Sequence, residues 1–377
     1  VGLLFLVGLA SDALSARAHV PRVSILMLAG VALGSGGFDL LHPDIRAWYE
    51  FLATAALTMI AFLLGGELTP AMLRRRGGQI LTVSLTVVIA TAALVAAGLM
   101  ALGVDPALAL LLAGVATATD PAATVDVIDQ MHAKGPFPDR LKGIVAVDDG
   151  WGLVLFAGLL ALATAVNGDG IAATAGLALW ELAGAALVGI GIGLPAAALT
   201  GRLRPGRATR LEALAVVFLL AGFAIWLEVS FLFAGMVAGA TVATLATHHE
   251  RSFHEIERVR DPFLVIFFVL AGATLDWGAL AGLGMLGAGY IALRVAGRLA
   301  GGVAGGRLAG LSAREGALTG FALTPQAGVA VGMALVAGDA IPEHRDAILA
   351  VTVASTVLFE LAGPVATQIA IVKARRG

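Results

Sequence analysis

The chain of 377 residues contains no cysteine, only two tyrosines and few charged side chains. The absence of cysteine excludes disulfide bonds and thiolate metal sites. Asp, Glu, Lys and Arg make up 13% of the residues, about half of their share in soluble domains, whereas hydrophobic residues reach 59% and the mean hydropathy is +0.94. This composition excludes an ordinary soluble protein and indicates a chain that crosses a membrane several times.

Apolar runs recur along the whole chain and predict an all-α protein with thirteen membrane-spanning helices. The runs are near the ~20 residues that cross a hydrocarbon core, and short polar turns separate them. Such long continuous runs favour helices over the strands of a membrane barrel. The predicted helices cover residues 1–17, 22–39, 47–68, 79–102, 105–131, 139–165, 171–202, 209–228, 231–247, 255–275, 278–309, 313–338 and 345–372.

The basic residues are distributed unevenly between the two sides of this arrangement. Of the 24 lysines and arginines, twenty fall in alternate turns, and only Arg46 and Arg345 fall in the others. Because basic turns mark the cytoplasmic side, we expect an external N terminus and a cytoplasmic C terminus. The expected location is the plasma membrane, of the bacterial inner-membrane type. The remaining two, Arg294 and Arg298, lie inside the helix predicted for 278–309.

An internal repeat is visible at a constant offset of 205 residues. The stretch "LAGVALG" at 28–34 matches "FAGMVAG" at 233–239, and Thr119 falls on Thr324. Equivalent helices are separated by seven helices, an odd number, so the two six-helix repeats must be inverted in the membrane. Inverted repeats are typical of secondary transporters.

Two helices related by this repeat each contain a proline near the middle of the membrane. Pro121 lies in "ATATDPAATV", and Pro325, followed by Gln326, lies in "FALTPQAGVAV". A single proline of this kind often only kinks a membrane helix. Two at equivalent positions favour discontinuous helices, which expose backbone carbonyls and half-helix ends to an ion. Asp120 would then lie near the positive N-terminal ends of half-helices.

The stretch "GIVAVDDGWG" places Asp148 and Asp149 inside the membrane, where a charged side chain costs at least ~2.5 kcal/mol. Asp149 is about ten residues into its predicted helix, which is close to mid-membrane. Counted in the same way, Arg294 is also central, whereas Arg298 is one turn nearer the cytoplasm. We therefore expect Arg294 to be the partner of the aspartate pair, with Arg298 as the alternative.

Two carboxyl groups at a shared site titrate as a coupled pair, so a proton and a cation compete for the same oxygens. Oxygen ligands without sulfur or imidazole suit Na⁺ or Li⁺, and a larger cavity would admit K⁺.

The combination of "TDP", "VDDG", the arginines of "RVAGR" and "TPQAGVAVGMAL" resembles the monovalent cation/proton antiporter superfamily, the sodium/proton exchangers. By this resemblance Asp149 matches the essential ion-binding aspartate, at which Na⁺ or Li⁺ would bind. Asp148 matches a position that is Asp in the electrogenic branch and Asn in the electroneutral branch. Thr119 and Asp120 match residues of the crossed discontinuous helices.

The resemblance implies a division of the chain into a scaffold that forms a homodimer and a mobile core that carries the ion as an elevator. Residues 1–78 and 205–277 would be scaffold, 79–170 and 278–377 core, and 171–204 a linker helix. It implies monovalent cations and protons as the transported ions and membrane lipids as surroundings, without a cofactor or nucleic acid.

Three positions depart from the pattern of the family. Electroneutral members carry a Glu five residues before the essential Asp, where this chain has Ile144, and electrogenic members usually carry a Lys in place of Arg294. Gln326 stands where many relatives have Arg. The chain combines the aspartate pair of one branch with the arginine of the other, so neither stoichiometry transfers.

An intramembrane aspartyl protease and a channel are alternative interpretations of the acidic residues. An intramembrane aspartyl protease needs membrane aspartates on two helices with a tyrosine beside one of them, and neither Tyr49 nor Tyr290 is next to an Asp. A channel is disfavoured because the polar residues converge on one centre without forming a continuous stripe. Glu360 either serves the core or marks the end of a helix.

Overall fold

The computed structural model of the chain describes residues 2–18, 20–34, 37–40, 49–67, 70–166, 171–199, 210–246, 249–274, 284–326 and 328–375. Within these ranges it contains fifteen α-helices, one 3₁₀ turn (Pro342–His344) and no strand, so the predicted all-α class is confirmed. The helices are α1 (Gly2–Ala18), α2 (Arg22–Leu33), α3 (Tyr49–Glu67), α4 (Pro70–Ala101), α5 (Pro106–Val115), α6 (Pro121–Gln130), α7 (Pro136–Val166), α8 (Ile171–Leu199), α9 (Arg210–Trp226), α10 (Phe231–Leu245), α11 (His249–Thr274), α12 (Gly284–Leu308), α13 (Ala313–Ala322), α14 (Gly328–Ala340) and α15 (Arg345–Arg375).

Each predicted apolar run contains helix in the described ranges, although the run at 22–39 is helical only to Leu33. The run at 105–131 is divided into α5 and α6, and the run at 313–338 is divided into α13 and α14. Among the described residues, three helical segments are long and apolar enough to cross a membrane: Arg76–Ala101, Pro136–Thr164 and Pro342–Arg375. The number of spans and the inversion of the repeats stay predictions.

The chain divides into two compact units, each made of three segments. Unit 1 comprises Val1–Leu14, Ala29–Gly77 and Leu179–Thr274. Unit 2 comprises Ser15–Leu28, Gly78–Ala178 and Leu275–Gly377. The assignment of chain segments to scaffold, linker and core stays a prediction.

Glycines set the closest helix contacts within unit 1. A Cβ added at Gly239 of α10 would lie 2.0 Å from the carbonyl oxygen of Phe62 in α3, and one at Gly65 would lie 2.0 Å from the carbonyl oxygen of Met236. In the same way Gly30 of α2 approaches Val269 of α11. Small residues let helix backbones approach in a membrane, where packing takes over from the hydrophobic effect.

Glycines on two faces of α12 organise unit 2. On one face, Cβ atoms added at Gly297 and Gly301 would each lie 2.7 Å from a Cα atom of α4. On the other face, Gly302 of α12 and Gly316 of α13 meet so closely that a Cβ on either would lie 2.4 Å from the other's carbonyl oxygen. The helix that carries Arg294 and Arg298 is therefore held tightly between two neighbours.

Replacing Gly239 by alanine is expected to destabilise the protein by about 1–3 kcal/mol, because the added methyl group meets backbone that cannot rotate away. The measurement is thermal unfolding of the purified chain in detergent. Gly222→Ala in α9 is the matched control, since no atom lies within 4 Å of its added Cβ. Equal unfolding temperatures for the two variants would contradict this account of unit 1.

Candidate functional site

Two interrupted helices lie in unit 2, and the sequence explains where the first one breaks. α5 ends at Val115 and α6 begins at Pro121, whose ring disfavours helical backbone at the preceding residue. Asp120 has extended backbone (φ −119°, ψ 94°), and its Oδ1 accepts the Ala123 N–H at 3.0 Å, which caps α6. The carbonyl groups between the two helices are left without helical partners.

Arg298 of α12 supplies donors to that segment. Its Nη2 donates to the carbonyl oxygens of Ala116 (3.3 Å), Thr117 and Ala118 (3.0 Å), and its Nη1 donates to Asp148 Oδ2 at 3.1 Å. The Arg298 and Asp148 side chains are fully buried. The other Asp148 oxygen accepts from Ser84 Oγ of α4 at 2.9 Å. One guanidinium group thus joins the unwound segment to a buried carboxylate.

Arg294, one turn earlier on α12, joins the two interruptions to each other. Its Nε donates to Ala116 O at 3.1 Å and its Nη2 to Ala118 O at 2.8 Å, while its Nη1 donates to Thr324 O at 2.8 Å. Its Cζ lies 4.2 Å from the ring centroid of Phe359 in α15, a cation–π contact. The planar, five-donor guanidinium suits this bridging role because its donors point in several fixed directions.

The ion pair of Asp148 is made by Arg298, so the expectation that Arg294 is its nearest partner is corrected. A count of residues along one helix places a side chain only to within about a turn. The described part of α12, Gly284–Leu308, has its middle between the two arginines. The ~6 Å of helix axis between them decides which one reaches the carboxylate.

Three further predicted site residues, Thr119, Thr324 and Gln326, lie in the two interruptions. Thr119 is buried in the first one. In the second, Thr324 Oγ1 donates to Phe321 O at 2.9 Å, and Gln326 Nε2 donates to Thr356 Oγ1 of α15 at 3.0 Å. Asp149 belongs to α7, and its side chain lies outside the described residues.

Sequence reasoning missed Ser84, Thr356 and Phe359. Ser84 and Thr356 are polar residues in apolar helices, which is a signal that could have been followed. Phe359 carries no such signal, because an aromatic residue in an apolar helix has many ordinary packing roles. The carbonyl oxygens that accept hydrogen bonds from the arginines belong to the backbone, so the residue types do not indicate them.

The family model of the sodium/hydrogen exchanger transmembrane region matches residues 1–370 of the chain. The chain belongs to the sodium/hydrogen exchanger family. It is a multi-pass membrane transporter that exchanges a cation for protons, and the resemblance noted from the sequence motifs is confirmed.

Two relatives and one solved structure are similar to this exchanger. The ammonium/H⁺ antiporter subunit AmhT of Alkalihalophilus pseudofirmus is 25% identical over 97% of this chain and 93% of its own length. Sodium/hydrogen exchanger 7 of Arabidopsis thaliana is 28% identical over 45% of this chain, which is 16% of that protein. The sodium/proton antiporter MjNhaP1 of Methanocaldococcus jannaschii matches 98% of this chain and 94% of its own, with a TM-score of 0.66 and 19% identity, and so shares the fold.

A double-mutant cycle is expected to identify Arg298 as the partner of Asp148 in this exchanger. Arg298→Ala leaves a buried carboxylate unpaired and should cost on the order of 3–5 kcal/mol of unfolding free energy. Adding Asp148→Asn should recover at least ~1 kcal/mol of that loss, since the unpaired charge is removed.

The matched control uses Arg294→Ala, which removes three bonds to carbonyl oxygens and no ion pair. Asp148→Asn should not rescue that variant. Chemical unfolding of all five variants and the parent in the same detergent measures both couplings. An equal rescue on the two arginine backgrounds would show that the carboxylate does not distinguish between them.

Proposed function

We propose that this exchanger moves Na⁺ or Li⁺ in one direction and protons in the other, with Asp149 as the carboxylate at which the two ions compete. Thr119 and Asp120 are its neighbours in the first interrupted helix. Asp148 is a fixed structural charge beside it. Alternating access is by an elevator motion of the unit that carries the site.

One observation carries this assignment: Asp148 is already committed on both of its oxygens. Ser84 donates to one oxygen and Arg298 to the other, and these groups are fully buried. Arginine does not release its proton in proteins, so only Asp148 could take up a proton in this pair, and doing so would leave the buried charge of Arg298 without its counter-charge. The neighbouring Asp149 is then the carboxylate left for the transported ions.

The position of Arg294 supports the same division of roles. Among the described residues it has no carboxylate bound to it, and its donors go to three carbonyl oxygens. Its positive charge balances an ionised Asp149 when neither a proton nor a cation is bound. Because it ties the two interruptions together within unit 2, the motion that changes access carries them as one body.

The ligand chemistry favours Na⁺ or Li⁺, because carboxylate, carbonyl and hydroxyl oxygens are hard ligands. K⁺ is the alternative if the cavity is larger. The likeness to an ammonium/H⁺ antiporter subunit over 97% of the chain adds NH₄⁺ to the ions that require testing. We further propose a homodimer in the lipid bilayer, with its N terminus outside and its C terminus in the cytoplasm.

Asp149→Asn is expected to abolish cation-driven proton movement while the protein stays folded, because the amide keeps the volume and loses the titratable charge. The measurement is dissipation of a pH gradient in proteoliposomes on adding Na⁺, Li⁺, K⁺ or NH₄⁺ in turn. Asp139→Asn, at the exposed start of the same helix, is the control and should keep exchange. Exchange by Asp149→Asn at the rate of the control would exclude this mechanism.

The locked state of Asp148 predicts one proton per monovalent cation and exchange that is insensitive to the membrane potential. Reversal potentials in proteoliposomes at several imposed ion gradients measure this ratio directly. A fit to two protons per cation would place Asp148 in the transport cycle, against the locked pair. A ratio of one, unchanged when the potential is clamped, is the expected result.

A further inference from the structure

Ser84 of α4 donates its hydroxyl hydrogen to Asp148 Oδ1 at 2.9 Å, and both side chains are fully buried. A serine or threonine inside a helix can instead bond a carbonyl oxygen one turn back on its own helix. Thr86, two residues further along α4, does so with Thr82 O at 2.6 Å. The Ser84 hydroxyl is thus directed away from its own helix and toward a carboxylate of α7.

Close packing on two sides fixes the backbone that carries Ser84. α4 contacts α7 about one turn before the hydrogen bond, where a Cβ added at Gly143 would lie 2.4 Å from Ile80 Cδ1. α4 also contacts α12, where a Cβ added at Gly305 would lie 3.0 Å from the Cα atom of Val83. The helix that presents the hydroxyl therefore cannot move away from the carboxylate.

Ser84 and Arg298 approach Asp148 from different helices and bind different oxygen atoms. Arg298 donates to Oδ2 at 3.1 Å, and it also donates to carbonyl oxygens of the first interruption. Among the described residues, Ser84 is the one donor to Oδ1. Without this hydroxyl, Oδ1 would be a buried oxygen at which Asp148 could take up a proton.

Burial disfavours the charged form of a carboxyl group, so the groups around Asp148 decide its state. The charges that act on it from α12 are those of Arg298 and, one turn away, Arg294, and α5 carries no charged side chain. Asp149 follows it directly on α7. The acidic side chains of the other helices around α7 interact with other groups: Asp120 caps α6, Asp129 pairs with Lys142, Glu315 pairs with Arg140, and Asp126 and Glu360 interact with Asp120.

We propose that Ser84 is a positioning residue of the exchanger, whose hydroxyl keeps Asp148 ionised and so sets the number of protons that move per cation. A hydrogen bond donated to a carboxylate stabilises its ionised form over its protonated form. Ser84 thus occupies the oxygen that Arg298 leaves open. This inference rests on the proposed function, in which Asp149 exchanges ions and Asp148 does not.

The ratio of protons to cations in Ser84→Ala tests the proposal. Alanine leaves Asp148 Oδ1 without a donor, so Asp148 should take up a proton when the cation leaves. Reversal potentials in proteoliposomes should move from one proton per cation in the parent toward two, and exchange should become sensitive to the membrane potential. A reversal potential is an equilibrium quantity, so a loss of active protein in the variant does not change it.

Two further variants separate the hydrogen bond from a general effect on packing. Ser84→Thr keeps the hydroxyl and should keep a ratio of one. Thr91→Val, on the same helix, is the matched control, because it removes a buried hydroxyl that has no hydrogen-bond partner among the described residues. It should also keep a ratio of one.

The parent and the variant together distinguish the two levels of the argument. A ratio of two in the parent would contradict the proposed function and the role of Ser84 with it. A ratio of one in both the parent and Ser84→Ala would leave the proposed function intact and overturn the role of Ser84.

Infrared spectroscopy in lipid vesicles measures the protonation of Asp148 without transport. Spectra are recorded in the Asp149→Asn background, and the difference made by adding Asp148→Asn isolates the C=O stretching band of a protonated Asp148. With Ser84→Ala this band should appear at a proton concentration about tenfold to a hundredfold lower than with Ser84, the factor expected for a hydrogen bond to a charged group. The same proton concentration in both proteins would overturn the proposal.

Ser84→Cys provides a second variant of similar volume, since a thiol is only a weak donor. Its infrared band and its ratio should lie between those of the parent and those of Ser84→Ala. If Ser84→Ala does not fold, Ser84→Cys decides, and values equal to those of the parent would overturn the proposal.

Discussion

Unwound backbone inside a membrane must find hydrogen-bond donors within the protein, because lipid offers none. In this chain two arginines of one helix meet that requirement for both interrupted helices. Arg298 binds the carbonyl oxygens of the first interruption, and Arg294 binds carbonyl oxygens of both. The other features of unit 2 follow from placing these two positive charges at its centre. Asp148 neutralises the charge of Arg298. The glycines of α12 let that helix pack closely against α4 and α13.

The geometry also gives a reason for arginine at a position where lysine would be an alternative. Arg294 reaches Ala116, Ala118 and Thr324 with three different nitrogen atoms. A lysine presents three donors from a single point on a flexible stem, whereas a guanidinium holds its donors in a rigid plane. Joining carbonyls of two separate segments therefore requires the wider group. Asp148, four residues after Ile144 on α7, supplies the counter-charge of the second arginine, Arg298.

The interruptions could be predicted from the sequence because their cause is local. Pro121 and Pro325 remove a donor and restrict the residue before them, and both effects belong to the residue type itself. The choice between Arg294 and Arg298 could not be made in this way. It depends on the level at which α7 passes α12, and a count of residues along one helix does not give that level. The hydrogen bonds from the arginines to carbonyl oxygens could not be predicted from the sequence either, since every residue has the same backbone carbonyl group.

The charges at the ends of the half-helices complement the helix dipoles. α5 and α13 end at the carbonyl groups that face the arginines, and a helix C terminus favours positive charge. α6 begins at Asp120, and a helix N terminus favours negative charge. The first interruption is thus compensated at both of its ends by side chains of the protein itself. In the proposed exchange the two ions compete for one site, so the site must keep its shape when neither ion is bound. The fixed charges of the arginines and of Asp120 stabilise the interrupted helices whether or not an ion is bound. These side chains bind backbone groups and do not need the transported ion as a partner.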